Sequence, residues 1–292
     1  MANRAVAVFE LVRPWNAGMA SLAALAGGLT VAPFESAPWS LVAAALVVFF
    51  GVGGGNALND AVDAEVDRSA HPRRPVPRGA LSVREARWWA WACFGVALGV
   101  AFLLGLGPGF LALACVVALA WYEGPLKQRA FGGHLVVSLV VGGTFVFGAV
   151  AMLELGFLPG VDGWRDALAR GFLGSALMMG GLAALANLAR ELFKSMEDVE
   201  ADRPHRRTAA TVWGPVATRW VAVLCIVAAL GLAVWVVGWG DLFETRVLGW
   251  LLAPSVALFG AAVFQRDAGR SSRATKLGMA LATFGFLAIG LI

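Results

Sequence analysis

The segment Gly55-Asn-Ala-Leu-Asn-Asp-Ala-Val-Asp-Ala-Glu-Val-Asp67 ends a long apolar run with Asn56, Asn59, Asp60, Asp63 and Asp67. At about 100° per residue on a helix, these side chains fall within about 100° of one another and share one face. A second segment, Asn187-Leu-Ala-Arg-Glu-Leu-Phe-Lys-Ser-Met-Glu-Asp-Val-Glu-Ala-Asp202, behaves alike. Around Glu191, the residues Asn187, Lys194, Ser195, Asp198 and Asp202 share a face, while Glu197 and Glu200 point elsewhere. A solvated helix end is the ordinary reading of one such cluster. Two aligned clusters are harder to dismiss, because a charged residue deep in a span costs about 3 kcal/mol and an apolar one recovers only about 0.5 kcal/mol. Carboxylates that converge without His or Cys suit a hard cation. Mg2+ takes one or two of them and completes its shell with water and substrate phosphate oxygens. Two clusters can hold a diphosphate between them, with neighbouring Arg and Lys neutralising its charge. An apolar tail on that diphosphate would lie among the helices, so the pattern points to a lipid diphosphate and away from a soluble nucleotide.

The elements that must position these groups are apolar helices. Of the 292 residues, 59% are hydrophobic and 14% charged, and the mean hydropathy of +0.75 lies outside the range of soluble globular domains. We expect an all-α polytopic membrane protein, one membrane domain over 1–292 with no separate soluble domain. Apolar runs between charged or Pro/Gly-rich breaks predict nine transmembrane helices, at 16–32, 39–66, 88–106, 109–121, 133–153, 168–193, 217–239, 247–264 and 275–292. With a cytoplasmic N-terminus, all of the 23 lysines and arginines except Arg165, Arg170 and Arg246 fall on inner segments. The C-terminus is then outside, and both acidic faces lie at the cytoplasmic boundary of a cell membrane. The same placement accounts for the net charge of +4, so no nucleic-acid partner is expected.

Each acidic segment runs into a basic loop, Arg68 to Arg78 and Arg203 to Arg207, which suggests two related halves at about 1–130 and 131–292. The first apolar run lacks a convincing cleavage site and is expected to be a retained helix. Cys93, Cys115 and Cys225 lie in apolar runs without CxxC pairs, so neither a disulfide framework nor a zinc site is indicated. His71, His134 and His205 are isolated and receive no catalytic role. Most of the twelve Trp residues cluster near span ends, as interfacial anchors do. Gly142, Gly143, Gly180 and Gly181 are expected to permit close helix approach.

Asn59-Asp-Ala-Val-Asp-Ala-Glu-Val-Asp67 resembles the NDxxDxxxD signature of the UbiA superfamily of intramembrane prenyltransferases, and Asp198-Val-Glu-Ala-Asp202 is similar to its second motif, DxxxD. Arg13-Pro-Trp-Asn16, Pro75-Val-Pro-Arg-Gly-Ala-Leu-Ser82 and Tyr122-Glu-Gly-Pro-Leu-Lys127 also match the family's habits. Gly55 to Asp60, Arg190 to Lys194 and Glu197 to Glu200 look most like the branch that makes digeranylgeranylglyceryl phosphate, an ether lipid. The resemblance implies nine helices around a central lipid-open cavity. It implies Mg2+ held by Asn59, Asp63 and Asp67 on one side and by Asp198 and Asp202 on the other, bridged by a prenyl diphosphate. Asp60 is then a metal ligand or an orienting residue.

Asn187, Lys194, Lys127, Arg74 and Arg78 are candidate diphosphate contacts, although a cytoplasmic loop accounts equally well for its basic residues. Tyr122 and Lys127 would face the cleft beside the diphosphate or the forming cation, with interfacial anchoring the alternative for Tyr122. The implied reaction transfers a geranylgeranyl group from its diphosphate to geranylgeranylglyceryl phosphate, within membrane lipid. Relatives that act on aromatic quinone precursors share both motifs. A non-enzymatic transporter that binds cations or lipids is the alternative from another class. In two places the chain departs from the family's habit: Ser195 stands where an Asp is common, and Ala201 where a Gly is usual.

Overall fold

Prolines start the first two long helices, because proline at a first helical position gives up no hydrogen bond. A computed structural model describes residues 4–124, 130–157, 160, 166, 173–202, 207–239 and 242–291. After α1 (Arg4–Val12) come α2 (Pro14–Leu29) and α3 (Pro38–Val62), then the short α4 (Asp67–Ala70). The next helix, α5 (Val83–Leu104), opens on a capping box: the Ser82 hydroxyl accepts from the Glu85 N–H, and the Glu85 carboxylate accepts from the Ser82 N–H. One residue, Gly105, separates it from α6 (Leu106–Tyr122). There follow α7 (Gly132–Glu154), α8 (Gly174–Glu197), the short α9 (Val199–Asp202), α10 (Ala209–Trp239), α11 (Leu242–Phe264) and α12 (Ala268–Leu291). The chain bends inside α10 at Gly214, just before Pro215.

Each expected span meets a helix. Among the described residues, α3, α5, α7, α8, α10 and α12 are long and apolar enough to cross a membrane, while α6 and the 249–264 part of α11 are shorter apolar helices. The expected boundaries need correction at several places, among them the last span, which begins at Ala268 and not at 275. The second span stops at Val62 and not at 66; the third begins at Val83, five residues before the first tryptophan pair; and the seventh begins at Ala209, across the Gly214 bend.

In a bilayer, helices associate through close packing more than through hydrophobic exclusion. Ala24, Leu41, Ala97 and Met152 join α2, α3, α5 and α7 in one core, and Leu192, Phe193, Ile226 and Ala262 join α8, α10 and α11 in another. The last helix, α12, packs on α2, α8 and α11, so the two ends of the chain meet. Backbone meets backbone along α7. A Cβ at Gly148 would sit 1.9 Å from the Ala24 carbonyl oxygen, and one at Gly27 1.9 Å from that of Phe145. On the other side of α7, a Cβ at Gly142 would be 2.3 Å from the Gly180 oxygen. Nothing lies within 4 Å of such an atom at Gly143, so the expected packing role holds for Gly142 and Gly180 and not for Gly143. Gly148→Ala should destabilise the fold by about 1–3 kcal/mol, read as a fall in the melting temperature of the detergent-solubilised protein. Gly143→Ala should leave it unchanged.

Candidate active site

Two long helices end on an aspartate. Asp63 is the C-cap of α3 and Asp198 that of α8, and four residues on, Asp67 and Asp202 lie in the short helices α4 and α9. Neither motif is therefore one unbroken helix, as the face arithmetic assumed. The spacing survives because the hydrogen bonds continue in steps of four. The N–H of Asp63 donates to Asn59 at 2.9 Å and that of Asp67 to Asp63 at 2.8 Å; the N–H of Asp198 donates to Lys194 at 3.0 Å and that of Asp202 to Asp198 at 2.9 Å. A carboxylate at a helix C-terminus opposes the helix dipole by about 0.3–1 kcal/mol, so both ends need cations.

The first motif finds them in its own loop and at the start of the chain. Asp63 and Asp67 are 5% and 3% exposed, and Asp60 is fully buried. Arg74 of the loop donates to Asp67 and stands 3.6 Å from Asp60. Arg13 donates to the same Asp60 oxygen, and the other oxygen of that carboxylate is buried without a hydrogen bond. Arg13 itself occupies the left-handed region, with φ 51° and ψ 66°, at the joint between α1 and α2. Such a backbone costs about 1–2 kcal/mol and persists where its surroundings over-determine it; here the pair with Asp60 holds it. The Asn59 amide donates to Asp63 at 3.2 Å and to Glu123 at 2.9 Å.

The second motif lines a small cavity of about 70 Å³ that Asp198, Asp202, Ser195, Lys194, Glu191 and Tyr122 share with His134 and Arg207. Tyr122, Glu191 and Lys194 also line a larger cavity of about 540 Å³, together with Asn56, Asn59, Glu123 and Asn187. The larger cavity has an apolar interior, including Val141, Phe145, Leu252, Phe259 and Phe286. Its size is that of a small-molecule site. His71, in the loop after α4, feels Arg74 and Asp67 of the first motif and Lys194 and Asp198 of the second. The two motifs therefore share one end of the molecule. Burial, more than the nearby Arg74, pushes the His71 imidazole below its usual value and favours its neutral form.

The other sequence-derived candidates divide. Asn187 is 3% exposed, lines the larger cavity, and donates to the Ser138 hydroxyl at 3.2 Å. Lys194 lines both cavities and has no carboxylate within ion-pair distance among the described residues. Arg74 and Arg78 line neither cavity; Arg78 donates to Glu10 at the surface. Lys127 lies outside the described residues. The Ser195 hydroxyl donates to the Leu192 carbonyl of its own helix at 2.9 Å, which leaves it no need of a ligand. Ser195→Ala should therefore keep turnover within about twofold, a free-energy change smaller than a typical hydrogen bond.

Sequence reasoning passed over Glu123, Arg190, Asn16 and Lys276, all of which line the larger cavity. The available signal was ionisable residues placed inside or at the edge of expected spans. Among the described residues no group of three or more His, Cys, Asp or Glu side chains forms a ready metal cage. Asp198 and Asp202 line the small cavity, two carboxylates being a number Mg2+ uses when phosphate oxygens complete its shell, whereas Asp60, Asp63 and Asp67 line neither cavity and the first motif reaches the larger one through Asn59.

The model of the UbiA prenyltransferase family matches residues 20–287. The chain is 35% identical over 97% of its length to a digeranylgeranylglyceryl phosphate synthase of Methanopyrus kandleri, of which 98% is covered. It is 30% identical over 96% of its length to that of Methanothermobacter thermautotrophicus, of which 94% is covered. Among solved structures, a UbiA homolog from Aeropyrum pernix superposes with a TM-score of 0.73 at 20% identity, covering 100% of this chain and 98% of that one. A UbiA homolog from Archaeoglobus fulgidus bound to GPP and Mg2+ gives 0.71 at 16% identity, covering 98% and 100%.

Proposed function

The chain belongs to the UbiA prenyltransferase family, and from that premise we propose that it joins a geranylgeranyl group, taken from its diphosphate, to geranylgeranylglyceryl phosphate in ether-lipid synthesis. One observation carries this reading: two aspartate-ended helices lie at one end of the molecule, where Asn59 of the first and Lys194 of the second line a largely apolar cavity in a multi-pass membrane protein. The synthase names of the Methanopyrus and Methanothermobacter relatives supply the acceptor. The placement of lysines and arginines supports a cytoplasmic N-terminus, an external C-terminus and a cavity mouth on the cytoplasmic side.

The donor set is hard oxygen, which fits Mg2+, and no cysteine lines either cavity. Asp63, Asp67, Asp198 and Asp202, with Asn59, are the residues that would hold it. When bound, Mg2+ supplies the positive charge that lets a diphosphate sit between two acidic motifs. Lys194, with no carboxylate within ion-pair distance among the described residues, neutralises the diphosphate as it leaves, and Lys127 is assigned the same task. The Tyr122 ring, at the junction of the two cavities, offers its face to the allylic cation. The glycerol hydroxyl oxygen forms the new C–O bond, and its proton passes to the departing diphosphate. Asn187 lines the wall between tail and diphosphate. Arg74 holds Asp67 and Asp60 in place, Arg78 ties the loop to α1, and Asp60 acts through Arg13 and not as a metal ligand.

The test is product mass spectrometry of the purified protein with geranylgeranyl diphosphate, Mg2+, and either geranylgeranylglyceryl phosphate or aromatic acids. We expect an ether lipid from the first acceptor only, and no diphosphate release once Mg2+ is chelated. A prenylated aromatic product would transfer the chain to the quinone-precursor class. Metal binding without any diphosphate release would make it a transporter or lipid-binding protein.

A further inference from the structure

The mouth of the larger cavity carries a second set of polar side chains that the aspartate motifs do not use. Asn16 stands in the first turn of α2 and Lys276 in α12, two helices that pack on each other. The Lys276 ammonium donates to Asn16 Oδ1 at 2.9 Å, which turns the Asn16 amide NH2 outward as a donor. Both line the 540 Å³ cavity, as Arg190 of α8 does, and neither Asn16 nor Lys276 reaches the small cavity around Asp198 and Asp202.

Among the described residues Lys276 has no carboxylate within ion-pair distance. The charges acting most strongly on it are Arg190, Arg13 and Lys194, all of its own sign. Glu191, which lines the same cavity, is paired with Arg190, which donates to it at 2.5 Å. Arg273 stands on the rim, 3.8 Å from Glu197 and 3.9 Å from Asp267. Like charges gathered at the opening of an apolar cavity repel one another and lose hydration, a cost that a bound anion removes.

We propose that Asn16, Lys276 and Arg190 form a second anion site, which takes the phosphate of the acceptor lipid. The inference rests on the acceptor reading given above and adds where the acceptor's headgroup binds. A phosphate monoester presents three oxygens; a guanidinium fork, an ammonium and an amide NH2 match them without a metal. The acidic motifs hang from α3 and α8, whereas Asn16 and Lys276 hang from α2 and α12. Arg190 hangs from α8 as the second motif does, so the acceptor's phosphate is held between that helix and the wall of α2 and α12, and its glycerol hydroxyl is directed towards the clamp. The site makes the enzyme selective for a phosphorylated acceptor over the bare glycerol ether.

The full-length protein in detergent tests this with three substrates varied separately: geranylgeranyl diphosphate, geranylgeranylglyceryl phosphate and unphosphorylated geranylgeranylglycerol. Lys276→Gln should raise KM for the phosphorylated acceptor by about 10- to 100-fold, the loss of one charged hydrogen bond. KM for geranylgeranyl diphosphate should stay within about twofold, and turnover of the unphosphorylated acceptor should match wild type. Lys276→Arg should restore the acceptor KM, and Asn16→Asp should raise it as Lys276→Gln does. Equal rises for both phosphorylated substrates would place Lys276 in the diphosphate clamp and overturn the site. So would unchanged KM values in both Lys276→Gln and Asn16→Asp while the wild type makes the ether lipid. A wild type that prenylates only aromatic acids would overturn the acceptor reading, and this site with it.

Discussion

Asp63→Asn and Asp198→Asn should each lower kcat/KM for prenyl transfer by about 10²–10³-fold or more, the loss seen when one group stabilising developing charge is removed. The argument is electrostatic. Asn keeps the shape of Asp and can still sit at the helix C-cap, so the fold is retained and the protein extracts normally. What goes is the negative charge that a cation needs when it bridges the motif and a diphosphate. Asp63 already accepts from Asn59, and an amide there can keep that bond by turning its oxygen to the donor. Activity therefore falls while the melting temperature stays within a few degrees. Full turnover by either variant, or by the wild type in excess chelator, would exclude a metal-bridged diphosphate clamp.

The second large effect is on stability. Arg13→Met leaves the wholly buried Asp60 carboxylate with only the more distant Arg74. Breaking a buried pair by removing one partner typically costs about 3–5 kcal/mol, most of it from the uncompensated charge left behind. Asp60→Asn in the same chain removes that charge, so the double variant should recover most of the loss. Thermal unfolding of the two single variants and the double variant in one detergent completes the cycle. A double variant as unstable as Arg13→Met would show that the charge of Asp60 is not what Arg13 balances. Asp60→Asn alone should keep Mg2+ half-saturation near wild type, which separates Asp60 from Asp63 and Asp67.

Much of this site is written locally. The acidic residues recur every four positions after apolar runs, and that order is visible without any fold. Yet the helix stops at Val62 and Glu197 were not visible, because the four-residue hydrogen-bond steps continue across both breaks into α4 and α9. The start of α5 was hidden by Arg84, Glu85 and Arg87, which interrupt the apolar pattern although Ser82 and Glu85 cap the helix. Arg74 and Arg78 look equivalent in a basic loop, but one holds Asp67 and the other Glu10. The pairing of Asn16 with Lys276 joins positions 260 residues apart. It depends on the last helix returning to the first, and no periodicity encodes that.

The glycine contacts along α7 bear on how lipids come and go. Where Gly148 meets Ala24, and Gly142 meets Gly180, main chain lies on main chain, and no side chain stands between that could swing aside as a gate. A prenyl tail therefore has no doorway beside α7 at those levels. Substrate entry and product exit must use other stretches of the wall, and α7 serves as the fixed post around which that traffic passes.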